Sequence, residues 1–432
     1  MHEGPTGVVT ALAVNAGRVR ETLRAFARIG YSPDGGMRRL AFSRADLRAR
    51  QLLSHLLGRI GVRPRVDGIG NIFGHLPGAG GDELAPVLVG SHLDTVPGGG
   101  RFDGAAGVAA ALEIVATLRE RGIVTRHPLE VVSFAAEESS RFGRGTIGSG
   151  VVAGTWAAEE VVALRDADGI TLGRALRRLG LDPAGVAVAR RPPGAFTAFL
   201  ELHIEQGRVL EASGAHLGIV EAIAAPTRLR LRLTGRADHS GATPMALRRD
   251  ALVGAAEVVL AVERRARAVP DIVGTVGTLR VEPGAINVVP GGVELGIDVR
   301  GVNGGDKAQV VARIRDDIAT IAATRELAAS IEVTSDEEPV VLDANVATLL
   351  ERHGQARDLP LLRLPSGAGH DAMQMARLCP SGMLMVPSRA GVSHNRAEWS
   401  DLDNIVAGTQ VLLDATLELA GREDEEVIQP TA

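Results

Sequence analysis

The run Gly90-Ser91-His92-Leu93-Asp94-Thr95-Val96-Pro97, with Arg101-Phe102-Asp103-Gly104 shortly after it, constrains this chain more than any other. It follows an apolar stretch, Pro86-Val87-Leu88-Val89, that reads as a buried strand. A histidine at a strand end, a carboxylate two positions on and another one loop away supply a metal ligand, a group that orients it and a further ligand. The same context recurs along the chain. Residues 129–136 run into Glu137-Glu138, residues 196–200 into Glu201-Leu202-His203-Ile204-Glu205-Gln206-Gly207, and residues 383–386 through Pro387-Ser388 to His394. In an open α/β sheet the carboxyl ends of the strands form one rim where ligands bind, so these candidates converge.

With 432 residues, 45% hydrophobic and 23% charged, the chain is long enough for two domains with separate cores. A net charge of -5 and 3% aromatic residues provide neither the basic stripe nor the stacking platforms that nucleic acid needs. Apolar stretches at 104–118 and 252–262 are interrupted by Glu113 and Glu257 and are too short for a membrane span. The first residues lack the layout of a secretory signal, and the single cysteine, Cys379, excludes an intrachain disulfide. A cytoplasmic location is the expectation, with Cys379 a buried core residue.

Strands and helices alternate up to about residue 215, as a mixed, mostly parallel sheet with helices on both faces requires. A helix starts just after Asp103-Gly104, with apolar residues at 108, 111, 112, 115 and 118 and a stop at Gly122. The pattern changes between roughly 216 and 335. Residues 227–234 alternate Arg and Leu as a half-exposed strand, 248–267 read as an amphipathic helix, and strands at 273–281 and 293–300 follow. A helix at 306–327 and a strand at 330–334 complete a β-α-β-β-α-β order, the ferredoxin-like arrangement. The expected organisation is a catalytic domain formed by 1–217 and 335–432, with an inserted α+β lid and dimerisation domain at 218–334. A long helix at 402–419 closes it, ahead of a frayed acidic tail at 422–432.

Taken together, the strings around His92, Asp103, Glu137-Glu138, Glu201 to Gly207, Ser366-Gly367-Ala368-Gly369-His370-Asp371-Ala372 and Val392-Ser393-His394 resemble the amidase/hydantoinase/carbamoylase branch of the M20 metallopeptidase family. The resemblance runs in register from about residue 20 to 415. It implies a dinuclear site in which His92 and His203 hold one divalent ion, Glu138 and His394 hold a second, and Asp103 bridges both. The ions would be Zn²⁺ or, with the same donors, Mn²⁺, Co²⁺ or Ni²⁺. It further implies Glu137 as the general base, Asp94 as the group fixing His92, and Gln206, His239, Asn287 and Arg300 as substrate-binding residues. His239 and Asn287 would come from the other subunit of a homodimer. The implied activity is hydrolysis of a carbamoyl or ureido C–N bond in a small carboxylate substrate. A metallopeptidase or N-acyl-amino-acid deacylase on the same metal site is the alternative, and a non-catalytic binding protein a third reading that the presence of Glu137 opposes.

Any one strand-end histidine taken alone reads as a core residue, and a Glu-Glu pair as a solvated doublet; five candidates in matching contexts reverse that reading. His370 fits a structural or orienting role, and the remaining histidines have no comparable setting. Two positions depart from the family pattern: Ser139 stands where glycine is usual after the doublet, and the lid motif reads His239-Ser240-Gly241. Neither removes a ligand.

Overall fold

Runs that are apolar on both sides of the chain form the centre of the principal sheet. The strands in chain order are β1 (Arg63–Val66), β2 (Ile72–Leu76), β3 (Val87–His92), β4 (Leu129–Phe134), β5 (Ala198–Ile204), β6 (Leu217–Ile223), β7 (Ala225–Thr234), β8 (Asp238–His239), β9 (Ile272–Glu282), β10 (Val288–Val289), β11 (Gly292–Gly301), β12 (Ala328–Asp336), β13 (Val340–Val341), β14 (Leu361–Ser366) and β15 (Ser381–Val386). The computed structural model describes residues 12–33 and 35–421, so the acidic tail at 422–432 lies outside the described residues. By contacts the chain forms two compact units: residues up to Glu221 with Leu342–Leu364 and those from His370 onward, and Ala222–Val341 with Pro365–Gly369.

In the first unit the strands β4-β3-β5-β15 are parallel, and antiparallel pairs flank them through β2 on one side and β6 on the other. β3, β4, β5 and β15 are buried along their whole length, as expected of parallel strands covered on both faces. Side chains alternate across such a strand. Leu200, Leu202 and Ile204 of β5 join the main core with Val108 and Leu112 of the helix Ala105–Arg121 and with Ile405 and Val411 of the helix Leu402–Ala420. Glu201 and His203 point the other way. The helix Ala105–Arg121 ends at Gly122 in the left-handed region, as the sequence predicts. The alternation expected up to residue 215 is interrupted: no sheet strand lies between Phe134 and Ala198. Instead, helices Ile147–Ala153, Ala158–Ala163 and Leu172–Arg178 pack a separate apolar cluster around Val151, Val161, Leu172 and Leu176.

The second unit has a four-stranded antiparallel sheet in the order β12-β7-β11-β9, with helices Ala251–Arg267 and Gly304–Thr324. The Arg-Leu alternation of β7 resolves as a two-faced strand. Leu229, Leu231 and Leu233 are buried in the unit's core, while Arg228, Arg230 and Arg232 pair with Asp298, Glu332 and Glu282 on the opposite face. Asp250 and Asn303 cap the two helices by accepting backbone N–H bonds.

Among the described residues no helix is long and apolar enough to cross a membrane. Glu113, which interrupts the apolar helix Ala105–Arg121, has a buried side chain. It accepts from the Asn15 N–H, from Arg18 Nε and Nη2 at 2.6 and 2.8 Å, and from the Thr117 hydroxyl. The pair thereby fastens the helix Ala16–Ala27 to the core. Removing one partner strands the other charge, so Arg18→Ala is expected to cost about 3 kcal/mol or more, read from the urea unfolding midpoint. A cost under about 1 kcal/mol would mean that the pair is a surface contact.

Candidate metal centre and active site

The carboxyl ends of β4, β3, β5 and β15 lie along one rim, and each delivers a candidate ligand. His92 ends β3, His203 lies one residue from the end of β5, Glu137 and Glu138 follow β4, and His394 stands in the loop after β15. Asp103 sits just before the helix Ala105–Arg121. Its two oxygens are divided: Oδ1 lies 3.4 Å from His92 Nε2 and 3.2 Å from His203 Nε2, whereas Oδ2 lies 3.2 Å from His394 Nε2. Glu138 Oε1 is 3.3 Å from the same His394 nitrogen. Two donor sets result, His92–Asp103–His203 and Asp103–Glu138–His394, each with its atoms within 4.8 Å of one another.

These donor sets fit divalent ions. Donors held about 2.1 Å from a tetrahedral ion stand about 3.4 Å apart, which matches the spacings here and is long for a hydrogen bond. His92 Nε2 and Glu138 Oε1, both directed at the cluster, are buried without a hydrogen-bond partner among the described residues. Imidazole and carboxylate with no thiolate suit Zn²⁺, Mn²⁺, Co²⁺ or Ni²⁺. Burial alone would push the Asp103 carboxyl up, but His203, His394 and His92 hold it well below the usual carboxylate range.

The backbone is shaped for this convergence. Ala136 (φ 56), Gln206 (φ 60) and His394 (φ 52) are non-glycine residues in the left-handed region beside or within the ligand-bearing turns. Such strain persists only where surrounding structure imposes it. Gly104 (φ 62) begins the helix under His92, where a Cβ would come within 2.5 Å of the imidazole ring, so only glycine allows both. The ring nitrogens away from the cluster are fixed by backbone carbonyls: His92 Nδ1 by Asp94 at 3.0 Å and His203 Nδ1 by Ile204 at 2.9 Å. Both histidines therefore present Nε2 to the cluster. The Asp94 carboxylate is 3.8 Å from His92 Nδ1 and instead accepts the N–H groups of Glu137 and Glu138 at 3.2 and 3.1 Å. It holds the turn that aims the doublet. Ser139, where the family pattern has glycine, has no positive φ, so the departure adds no backbone strain at that position.

Glu137 is buried, with Oε2 3.6 Å from His92 Nε2, and belongs to neither donor set. Burial raises its carboxyl well above the ordinary value, opposed by His92 and reinforced by Glu138 and Asp371. Gln206 Nε2 donates to Asp103 Oδ2 at 2.8 Å, and its Oε1 is buried without a partner among the described residues. The His370 ring packs edge-on against His203 at 4.4 Å, and burial followed by the His203 charge depresses its pKa well below the usual imidazole value. His370 belongs to neither donor set.

His239, Asn287 and Arg300 belong to the second unit. β8 and β10 pair His239 with Val288, and Ser240 N–H donates to the Asn287 carbonyl, so two exposed segments side by side carry His239 and Asn287. His239 Nδ1 accepts from the Gly241 and Ala242 N–H groups, each at 3.1 Å, which leaves the proton of the neutral ring on Nε2. Arg300 uses Nε and Nη2 on Asp298 and Nη1 on the Gly367 carbonyl. Of five guanidinium N–H groups, two remain for a ligand.

Several residues here were given no role by the sequence. Glu201 accepts from the Ser91 hydroxyl at 2.6 Å and from Ala372 N–H at 3.0 Å, tying β3 and the helix Asp371–Met375 to β5. Arg39 is fully buried and donates to the carbonyls of Leu93, Phe26 and Ile29, bracing the segment that bears Asp94. Glu398 bonds to both the Asp103 loop and the His394 loop. Ser91 and Glu201 flank predicted ligands, which is the one available cue; Arg39 and Glu398 meet the site only through tertiary contacts.

A parallel-centred α/β sheet with a divalent-metal donor cluster along its carboxyl rim defines a metal-dependent hydrolase architecture. The chain belongs to peptidase family M20/M25/M40, whose model matches residues 88–418, and within it to the carbamoylase/amidohydrolase branch. It is 42% identical over 406 residues to the N-carbamoyl-L-amino acid amidohydrolase of Geobacillus stearothermophilus, covering 94% of this chain and 99% of that one. To the allantoate amidohydrolase of Bacillus subtilis it is 34% identical over 400 residues, 91% of this chain and 95% of the relative. The crystal structure of an amidase of the hydantoinase/carbamoylase family from Burkholderia multivorans superposes with a TM-score of 0.88 at 38% identity, covering 95% of this chain and 99% of that chain.

Proposed function

We propose that this protein is a metal-dependent amidohydrolase that cleaves the carbamoyl or ureido C–N bond of a small carboxylate-bearing substrate. The observation that carries the reading is the Asp103 carboxylate divided between two donor sets, with the buried Glu137 left outside both. The names of the relatives support the substrate class. His92 and His203 with Asp103 Oδ1 would hold one ion, and Glu138 and His394 with Asp103 Oδ2 a second. Divalent ions held there would supply Lewis-acid polarisation of a carbonyl oxygen and lower the pKa of a water. The Glu137 carboxylate takes the proton of the attacking water and hands it to the leaving nitrogen. As water adds to the carbonyl carbon, the C–N bond to the departing amine breaks, and the carbamic acid formed falls apart to ammonia and carbon dioxide.

The second unit forms a ferredoxin-like lid that supplies recognition. His239 presents Nε2–H, and Asn287 beside it a side-chain amide, to the carbonyl oxygen as it gains negative charge. The two free N–H groups of Arg300 grip the substrate carboxylate. Gln206 bonds the ureido or carboxylate end. The protein acts in the cytoplasm as a homodimer, in which the paired exposed segments bearing His239 and Asn287 complete the partner's site. A metallopeptidase or N-acyl-amino-acid deacylase would share the metal cluster and is separated from this reading by substrate.

Ammonia release is expected from at least one of an N-carbamoyl-L-amino acid, 3-ureidopropionate and allantoate, with the enzyme loaded with Zn²⁺, Mn²⁺, Co²⁺ or Ni²⁺ in turn. Glu137→Gln is expected to keep its ions and lower kcat by roughly 10²–10⁴-fold. Release of amino acid from acyl or peptide substrates alone would favour the alternative, and loss of metal in the variant would exchange the roles of Glu137 and Glu138.

The composite site has its own test. Inactive Glu137→Gln and inactive His239→Ala chains, mixed under conditions of subunit exchange, are expected to recover part of the activity, since heterodimers carry one intact site. No recovery in a mixture shown to exchange would place His239 in its own chain's site.

A further inference from the structure

Glu398 is a buried carboxylate that belongs to neither donor set. Its Oε1 accepts from the backbone N–H groups of Phe102 and Asp103 at 2.9 and 3.2 Å, and its Oε2 accepts the Ser393 hydroxyl at 3.0 Å. One side chain, 295 residues from Asp103 along the chain, thus joins the loop bearing Asp103 to the loop bearing His394. Gly100 makes the room for it. A Cβ at position 100 would come within 2.0 Å of the Glu398 carboxyl carbon, so this carboxylate and a side chain at 100 exclude one another. The Ser393 hydroxyl also stands 3.4 Å from Asp103 Oδ2, the oxygen that faces His394.

The two donor sets are held unequally. His92 and His203 are buried, and a backbone carbonyl fixes each ring from behind. The His394 side chain is 50% exposed, has its backbone at φ 52, and among the described residues has no bond of that kind to its Nδ1. Its place depends on the turn that carries it, and within that turn the Glu398 N–H donates to the Asn395 carbonyl. Besides the contacts of Ser393 and His394 with Asp103 Oδ2, the staple by Glu398 ties this turn to the backbone that carries Asp103.

We propose that Glu398 is a positioning residue that sets the affinity of the Asp103–Glu138–His394 site selectively, by keeping the His394 turn in register with the second oxygen of Asp103. The inference rests on the two-ion reading given above. It predicts a separation between the sites: the His92–Asp103–His203 set stays formed without Glu398, and the other loses its alignment.

The test is titration of the chelator-stripped protein with Co²⁺, followed by visible absorption and by equilibrium dialysis, with the thermal melt of each apo variant recorded beside it. Wild type is expected to take up two ions. Glu398→Ala is expected to weaken one of them by roughly 10–100-fold, the usual effect of losing a group that orients a ligand, and to leave the other within about threefold. Glu398→Gln is expected to restore most of the loss, because its amide oxygen still accepts the Phe102 and Asp103 N–H groups and its NH₂ can donate to Ser393. If Glu398→Ala does not fold, Ser393→Ala removes one bond of the same staple and is expected to weaken the same single site. Equal weakening of both sites, no weakening of either, or a glutamine variant as impaired as the alanine one would overturn the inference. A wild-type protein that binds fewer than two ions would instead overturn the reading of the metal centre.

Discussion

Everything at the rim of the sheet is arranged around one carboxylate and three imidazoles. Asp103 lies between His92, His203 and His394, and those rings offset a burial that would otherwise disfavour its charge. So many ionisable groups in a buried place are tolerable only if their charges are matched and their geometry fixed. The parallel strands β4-β3-β5-β15 bring four chain segments to one edge, the missing Cβ of Gly104 lets the helix under Asp103 approach the His92 ring, and backbone carbonyls turn His92 and His203 so that Nε2 faces inward. Positive φ at Ala136, Gln206 and His394 is the conformational cost of turning each segment into the cluster.

The positions that meet in the candidate donor cluster were legible because each follows a short apolar run, and strand ends in a parallel sheet converge whatever the details of the loops. The helix over Ala105–Arg121, the two-faced β7 and the element order of the second unit were legible for a similar reason, since periodicity and caps are local signals. The interval between β4 and β5 was not, because its short helices owe their places to a separate apolar cluster rather than to strong periodicity. Nor could spacing specify atoms. Asp94 stands two residues from His92, yet its backbone carbonyl meets the ring while its carboxylate takes the N–H groups of the glutamate doublet. Arg39 and Glu398 act across 54 and 295 residues of chain, where no local pattern reaches.

The two units differ in the kind of group they carry. The first concentrates carboxylates and imidazoles in a buried cluster, where a low dielectric strengthens each interaction. The second carries groups with hydrogen atoms to give. His239 is held with its proton on Nε2 by two backbone N–H groups, and Arg300 is anchored through part of its guanidinium while the rest stays available.

The most direct measurement is a crystal structure of the metal-loaded protein with anomalous scattering recorded at the absorption edge of the ion. Two peaks roughly 3.5–4 Å apart are predicted, one beside Asp103 Oδ1 between His92 and His203, the other beside Oδ2 with Glu138 and His394. A single peak, or two peaks that leave Asp103 coordinating only one of them, would contradict the bridging role on which the rest depends.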